Sequence, residues 1–131
     1  MAETSRLQYW LTPPELELEV RRILGGDYYD PSPYPCPVDR DALRDAWVRP
    51  WYCNPPFVRA DGSPSAFARK AVCEGGPGVF ATSVPTPVAT LLRAGARFVD
   101  ARRVRWLEVE SREPMPNPGL TGLFCLPEER L

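Results

Sequence analysis

The chain has 131 residues, of which 17 are proline and 9 glycine, while 44% are hydrophobic. That length suits one compact domain of the usual ~100–150 residues, the proline and glycine content stays below the ~25–30% of low-complexity chains, and no apolar stretch approaches the ~20 residues that span a bilayer. Sixteen basic against 17 acidic side chains leave a net charge of −1, which excludes a uniformly basic surface for nucleic acid, and the absence of histidine excludes Ser-His and Cys-His nucleophiles.

In chain order, Met1 to Gln8 is polar, so no secretory signal is expected. The first element is a helix opened by Thr12-Pro13-Pro14-Glu15, with Thr12 as the N-cap hydroxyl and Glu15 as its capping-box partner. Leu16, Val20, Ile23 and Leu24 lie on its inner face, and Gly25-Gly26 ends it. Tyr28-Tyr29 is a short strand candidate running into Asp30-Pro31, and the prolines at 31, 33, 35 and 37 make the next segment a loop. Asp41 to Trp47 reads as a turn or short helix. The apolar run Trp51-Tyr52-Cys53 has the pattern of a strand buried on both faces, stopped by Asn54-Pro55-Pro56-Phe57.

A helix is expected from Ser63-Pro64 through Phe67 to Cys73, closed by Gly75-Gly76. A buried strand is expected over Val79–Val84, and a further helix from Thr86-Pro87 through Leu91 and Leu92 to about Ala94. Arg97–Val99, Val104–Val109 and Leu120–Leu126 read as strands. Strands alternating with helices predict an α/β domain spanning 1–131 with a mainly parallel sheet, and the last two strands predict an antiparallel C-terminal finish.

Charge is uneven. Residues 1–65 hold 7 basic and 10 acidic side chains against 9 and 7 in residues 66–131, and Arg97, Arg102, Arg103 and Arg105 fall within nine positions. Such a run is either a solvated face or a set of phosphate contacts. The four cysteines form no C-x-x-C pair, so no structural zinc site is expected, and reduced thiols in a cytosolic setting are the simplest reading.

Ligands of open α/β sheets sit beyond the carboxyl ends of strands, and two strand ends here carry unusual residues, Asp30-Pro31-Ser32-Pro33 and Asn54-Pro55-Pro56-Phe57. The Asn54 amide oxygen and the Pro55 carbonyl are two acceptors on a stiff backbone, matched to the two donors of an –NH₂ group. Accepting both N–H bonds concentrates the lone pair on that nitrogen, and Phe57 offers a face on which a planar base stacks. The plain alternative is that Asn-Pro-Pro-Phe is a turn.

These residues, in this order, resemble the phage-type DNA adenine N6-methyltransferases, which use S-adenosylmethionine and carry an Asn/Asp-Pro-Pro-Tyr/Phe motif. Trp10-Leu11-Thr12-Pro13 is similar to their W-x-T-P beside the cofactor. Asp30-Pro31 resembles the acid that ends the first strand, and Asp41-Ala42-Leu43 with Trp47 the D-x-L…W segment. Phe67 and Lys70 resemble the F/W-x-x-K helix after the catalytic motif, and Arg103-Val104-Arg105-Trp106 the late G-R-x-x-F strand.

The resemblance implies a minimal Rossmann-like methyltransferase fold, cofactor contacts from Trp10, Thr12, Pro13, Asp30, Pro31 and Asp41, and a catalytic Asn54, Pro55, Pro56 and Phe57. It implies phosphate contacts with DNA from Lys70, Arg102, Arg103 and Arg105, in a bacterial or phage-infected cytoplasm.

The chain also departs from that pattern. Ser32 to Cys36 stand where wider methyltransferases have a glycine-rich loop, Arg102 stands where the group has glycine, and only 24 positions separate Asp30 from Asn54, which leaves little room for a second strand and its ribose-binding acid. Asp39 or Asp41 is the substitute for that acid. Other amine substrates, such as a glutamine amide or another base, suit the same motif. Outside the enzyme class stands a catalytically degenerate nucleic-acid-binding module of the same fold.

Overall fold

A computed structural model of the chain describes residues 10–33, 39, 41–55, 64–116 and 119–128. The elements are β1 (Trp10–Leu11), α1 (Pro14–Leu24), β2 (Trp51–Cys53), α2 (Ser65–Glu74), β3 (Gly78–Thr82), α3 (Val88–Arg93), β4 (Arg97–Val104), β5 (Leu107–Glu108) and β6 (Gly119–Leu126). Gly25, at φ 84°, closes α1 in the left-handed conformation that glycine adopts without a Cβ penalty, and its N–H donates to the Arg21 carbonyl.

Alternation along the strands sorts the core into two layers. Trp51, Cys53, Phe80, Phe124 and Leu126 face α2 and α3, where Phe67, Ala68, Ala71 and Leu91 complete one cluster. Tyr52, Val79, Ala81, Leu123 and Val104 face α1, which buries Leu16 and Val20 against them. Each such aliphatic side chain stabilises by about 1.5–3 kcal/mol on burial. Helices thus cover both faces of the central strands.

The four-stranded sheet has the order β2-β3-β6-β4, and β1 pairs with β5 in a separate two-stranded sheet. β2 and β3 are parallel, whereas β6 runs antiparallel to both β3 and β4. The expected mainly parallel, Rossmann-like methyltransferase sheet is therefore wrong: the α/β class stands, but the sheet is mixed, with one parallel pair of named strands among the described residues. The physical reason is β6. With Leu123, Phe124 and Leu126 buried it takes a central place between β3 and β4, which a right-handed α3 crossover would otherwise have set side by side.

Further expectations change. The strand expected over 97–99 runs on to Val104 as β4, and the strand expected over 104–109 shrinks to β5, which pairs with β1, so the antiparallel neighbours of β6 are β3 and β4 and not the strand before it. Of the Tyr28-Tyr29 strand only an isolated parallel bridge between Tyr29 and Trp51 forms. Tyr29 donates its N–H to the Pro50 carbonyl and accepts from Tyr52 N–H, so the chain leaves Tyr29 at the same end as it leaves β2. No helix among the described residues is long and apolar enough to cross a membrane.

Candidate functional site

β2 ends because Pro55 has no N–H to continue the ladder. Asn54 and Asp30 consequently emerge side by side beyond the ends of two parallel segments, the place where α/β sheets hold ligands. The loop at Asp30 is shaped by its own carboxylate, whose Oδ1 accepts the Ser32 N–H at 2.9 Å in an Asx turn. Ser32 Oγ then donates to the Asn54 main-chain carbonyl at 3.2 Å, tying the two strand-end loops together.

The third wall comes from the start of the described chain. Asn54 Nδ2 donates to the Trp10 carbonyl at 2.9 Å, and Thr12 Oγ1 shares a 3.0 Å hydrogen bond with Tyr52 Oη. Thr12 is therefore not the N-cap expected of it: Pro13 holds that position, and no side-chain cap bond forms. The fourth wall is the turn after β5, brought in because β5 pairs with β1 through Leu11↔Leu107 and Trp10↔Glu108.

These four segments enclose a cavity of about 330 Å³, at the lower end of the ~300–1,000 Å³ of small-molecule sites. Of the residues expected at a cofactor or catalytic site, Trp10, Thr12, Asp30 and Asn54 line it. Ser32 and Pro33, from the loop singled out at the first strand end, line it as well, and sequence reasoning missed Glu17, Tyr28, Tyr52 and Arg112, which do so too. The missed residues arrive through pairings that no spacing encodes.

Burial acts on the two tyrosines of the lining. It raises the Tyr28 hydroxyl to about 12, assisted by the nearby Glu17 charge, and lifts Tyr52 above the ordinary phenol range against the opposing hydrogen bond with Thr12. Both stay neutral at physiological pH and serve as hydrogen-bonding groups. Cys53, fully buried on the opposite face of β2, has its thiol pushed well up by desolvation, so it is no thiolate nucleophile. What remains chemically is a polar pocket with acidic Glu17 and Asp30, basic Arg112, an aromatic Trp10 and the Asn54 amide.

The amide's orientation matters. Since Nδ2 is committed to the Trp10 carbonyl, Oδ1 is the end presented elsewhere, and among the described residues nothing donates to it. Pro55 comes next, buried. Pro56 and Phe57 lie outside the described residues, as does the Ser63 end of the second helix.

Other residues expected at the cofactor fall outside the cavity. Pro13 and Pro31 are buried and shape the α1 start and the Asp30 loop. Asp41 is exposed in a turn, where its Oδ1 accepts the Leu43 N–H at 3.0 Å, and it does not line the cavity. In the same segment Trp47 donates its indole N–H to the Ala42 carbonyl at 2.8 Å and packs edge-on to Trp51 with 5.0 Å between ring centroids, which makes the Asp41–Trp47 segment a packing unit. Asp39 is exposed.

The expected DNA contacts are partly engaged within the chain. Lys70 Nζ pairs with Glu74 at 2.8 Å. Arg102 pairs with Asp100 at 2.7 Å and reaches Glu19 of α1 at 3.9 Å. Arg105 donates to the Met115 carbonyl at 2.9 Å. Arg103 is exposed and, among the described residues, forms no ion pair. All but Lys70 lie on or next to β4, an edge strand, where charge discourages pairing with another sheet. Among the described residues no cluster of His, Cys, Asp and Glu could hold a metal ion.

Comparison of the chain with protein-family models, with curated protein sequences and with solved structures finds no significant match.

Proposed function

We propose that the cavity binds S-adenosylmethionine and that the protein methylates an exocyclic amine, the N6 amino group of adenine in DNA. The observation that carries this reading is the convergence of Trp10, Thr12, Asp30 and Asn54, drawn from three separate segments, on one cavity. They are among the positions through which the chain resembles the phage-type adenine methyltransferases.

The donor set suits the cofactor. Asp30 and Glu17 supply negative charge for a ligand bearing an ammonium and a sulfonium, and an aromatic face such as Trp10 attracts such cations. When bound, S-adenosylmethionine supplies the electrophilic methyl group. The chain's own task is to hold the amine: Asn54 Oδ1 and the Pro55 carbonyl accept its two N–H bonds, which keeps the nitrogen lone pair localised and aimed. The Trp10 carbonyl fixes the Asn54 amide in the flip that this requires, and Ser32 holds the Asn54 carbonyl to the Asp30 loop. Adenine stacked in a duplex is out of reach, so the base is flipped out before it is held. Arg103, exposed on β4, is the phosphate contact most available for this.

A second reading, a binding module that keeps the pocket without catalysis, is favoured by the mixed sheet and by the glycine-free loop Asp30 to Pro33. Transfer of a labelled methyl group from S-adenosylmethionine to adenine-containing DNA supports the enzyme. Calorimetric binding of the cofactor without transfer to any adenine substrate supports the module.

A further inference from the structure

The cavity holds two acids and one base, each from a different element: Glu17 from the first turn of α1, Asp30 from the loop after Tyr29, and Arg112 from the turn after β5. Arg112 has no counterpart in the motifs that suggested the site. Its backbone sits at φ 63°, in the left-handed region where turns ordinarily place glycine or asparagine. The turn is held by Glu108, which accepts the Arg112 N–H at its carbonyl at 2.8 Å and the Ser111 N–H at its carboxylate at 2.8 Å. Among the described residues, no carboxylate lies within ion-pair distance of the Arg112 guanidinium.

We infer that the cavity recognises the α-amino-acid end of its ligand as a zwitterion, with Arg112 pairing with the carboxylate and Asp30 and Glu17 with the ammonium. The inference rests on the cofactor reading above and deepens it by naming the residue that selects for the carboxylate. The chemistry comes from the lining. A guanidinium presents parallel N–H donors that match both oxygens of a carboxylate, a fit that the ammonium of a lysine lacks. Charges of both signs around one small cavity favour a ligand that carries both, and disfavour a simple anion or a simple cation. The turn that carries Arg112 is anchored through β5 to β1, whose Trp10 carbonyl holds Asn54, so this specificity group and the amine-binding group share one support.

The test is calorimetry on the whole chain with two probes, S-adenosylmethionine and its decarboxylated analogue, which keeps the adenosine, sulfonium and ammonium. Wild type is expected to bind the first about 10–100-fold more tightly, the worth of one charge-assisted pair. Arg112→Gly, which suits the left-handed backbone and so preserves the fold, is expected to bind both probes with equal affinity. Arg112→Lys is expected to restore only part of the preference. Wild type that binds both probes equally, or Arg112→Gly that keeps the wild-type preference, overturns the inference while leaving the cofactor reading intact. Wild type that binds neither probe at millimolar concentration overturns both.

Discussion

The side-chain amide of Asn54 donates to the main-chain carbonyl of Trp10 at 2.9 Å, across 44 positions of sequence. This bond joins the end of β2 to β1, and through β1 to the β5 turn, so the proposed amine-binding group is oriented by backbone from the far side of the cavity. A side-chain amide has one acceptor and two donors; fixing a donor fixes where the acceptor points.

The paired tyrosines predict an alkaline limit. Tyr28 packs edge-on to Tyr52 with 5.4 Å between centroids, and burial raises both hydroxyls, Tyr28 to about 12 from the ordinary 10.0. A raised folded-state value means that the stability contribution is complete below pH 10 and is lost as pH climbs through 12. Urea unfolding midpoints are expected to be level up to about pH 9 and to fall beyond pH 10, in step with phenolate absorbance. Tyr28→Phe is expected to flatten that fall. Tyr52→Phe is expected to flatten it too, and to lose about 0.5–1.5 kcal/mol at neutral pH with the Thr12 bond.

The acid limit is set in part by Glu74. Burial works to raise its carboxyl, but hydrogen bonds from Lys70 and from the Trp47 N–H outweigh this and hold it below the ordinary 4.5. The sign is opposite to that of the tyrosines: the contribution is present above pH 4.5 and is lost as pH falls through the lowered value. Glu74→Gln is expected to lower stability at pH 7 by about 0.5–1 kcal/mol and to weaken the acid dependence, measured by urea unfolding from pH 7 to pH 3.

Gly78 exists as glycine because of Trp51. A Cβ there would lie 2.1 Å from the indole ring of the fully buried Trp51, its partner across the parallel β2–β3 pair. Gly78→Ala is expected to destabilise by about 1–3 kcal/mol, and less in a Trp51→Leu background, where the ring is gone. Additive losses in the double variant would contradict the contact.

Two buried tryptophans should respond differently to loss of the indole N–H. Trp51 donates its Nε1–H to the Gly75 carbonyl at 2.9 Å, whereas Trp106 Nε1 has no partner among the described residues. Trp51→Phe therefore removes a hydrogen bond as well as volume, and Trp106→Phe removes volume alone and relieves an unsatisfied donor. Trp51→Phe is expected to be the more destabilising by about 1–2 kcal/mol, read from urea unfolding.

The elements were largely legible and their arrangement was not. Gly25-Gly26, Gly75-Gly76 and Pro87 punctuate the chain at the helix boundaries, and the apolar Trp51-Tyr52-Cys53 is β2. Hydrophobic pattern reports burial, though, and burial is the same for a central strand of either direction. Nothing in Leu123-Phe124-Cys125-Leu126 says that it lies between β3 and β4.

The arginine run was legible as charge and not as an edge strand, because edge position is set by which strands pair. In the site, Trp10, Asp30 and Asn54 were visible through their prolines and their order. Tyr52 was visible only as core, since its hydroxyl's partner lies 40 positions away. Thr12 illustrates the competition: local chemistry offers it a helix cap, and the tertiary fold takes its hydroxyl for Tyr52 instead.

Whether Asn54 holds an amine for methylation is read from transfer of a labelled methyl group from S-adenosylmethionine to adenine-containing DNA by wild type and Asn54→Ala, with cofactor affinity measured for both. Wild type is expected to give labelled N6-methyladenine, and Asn54→Ala to lose on the order of 100-fold or more, as for removal of a positioned polar group at a reacting centre, with cofactor binding retained. Equal transfer by the two proteins would contradict that role of Asn54.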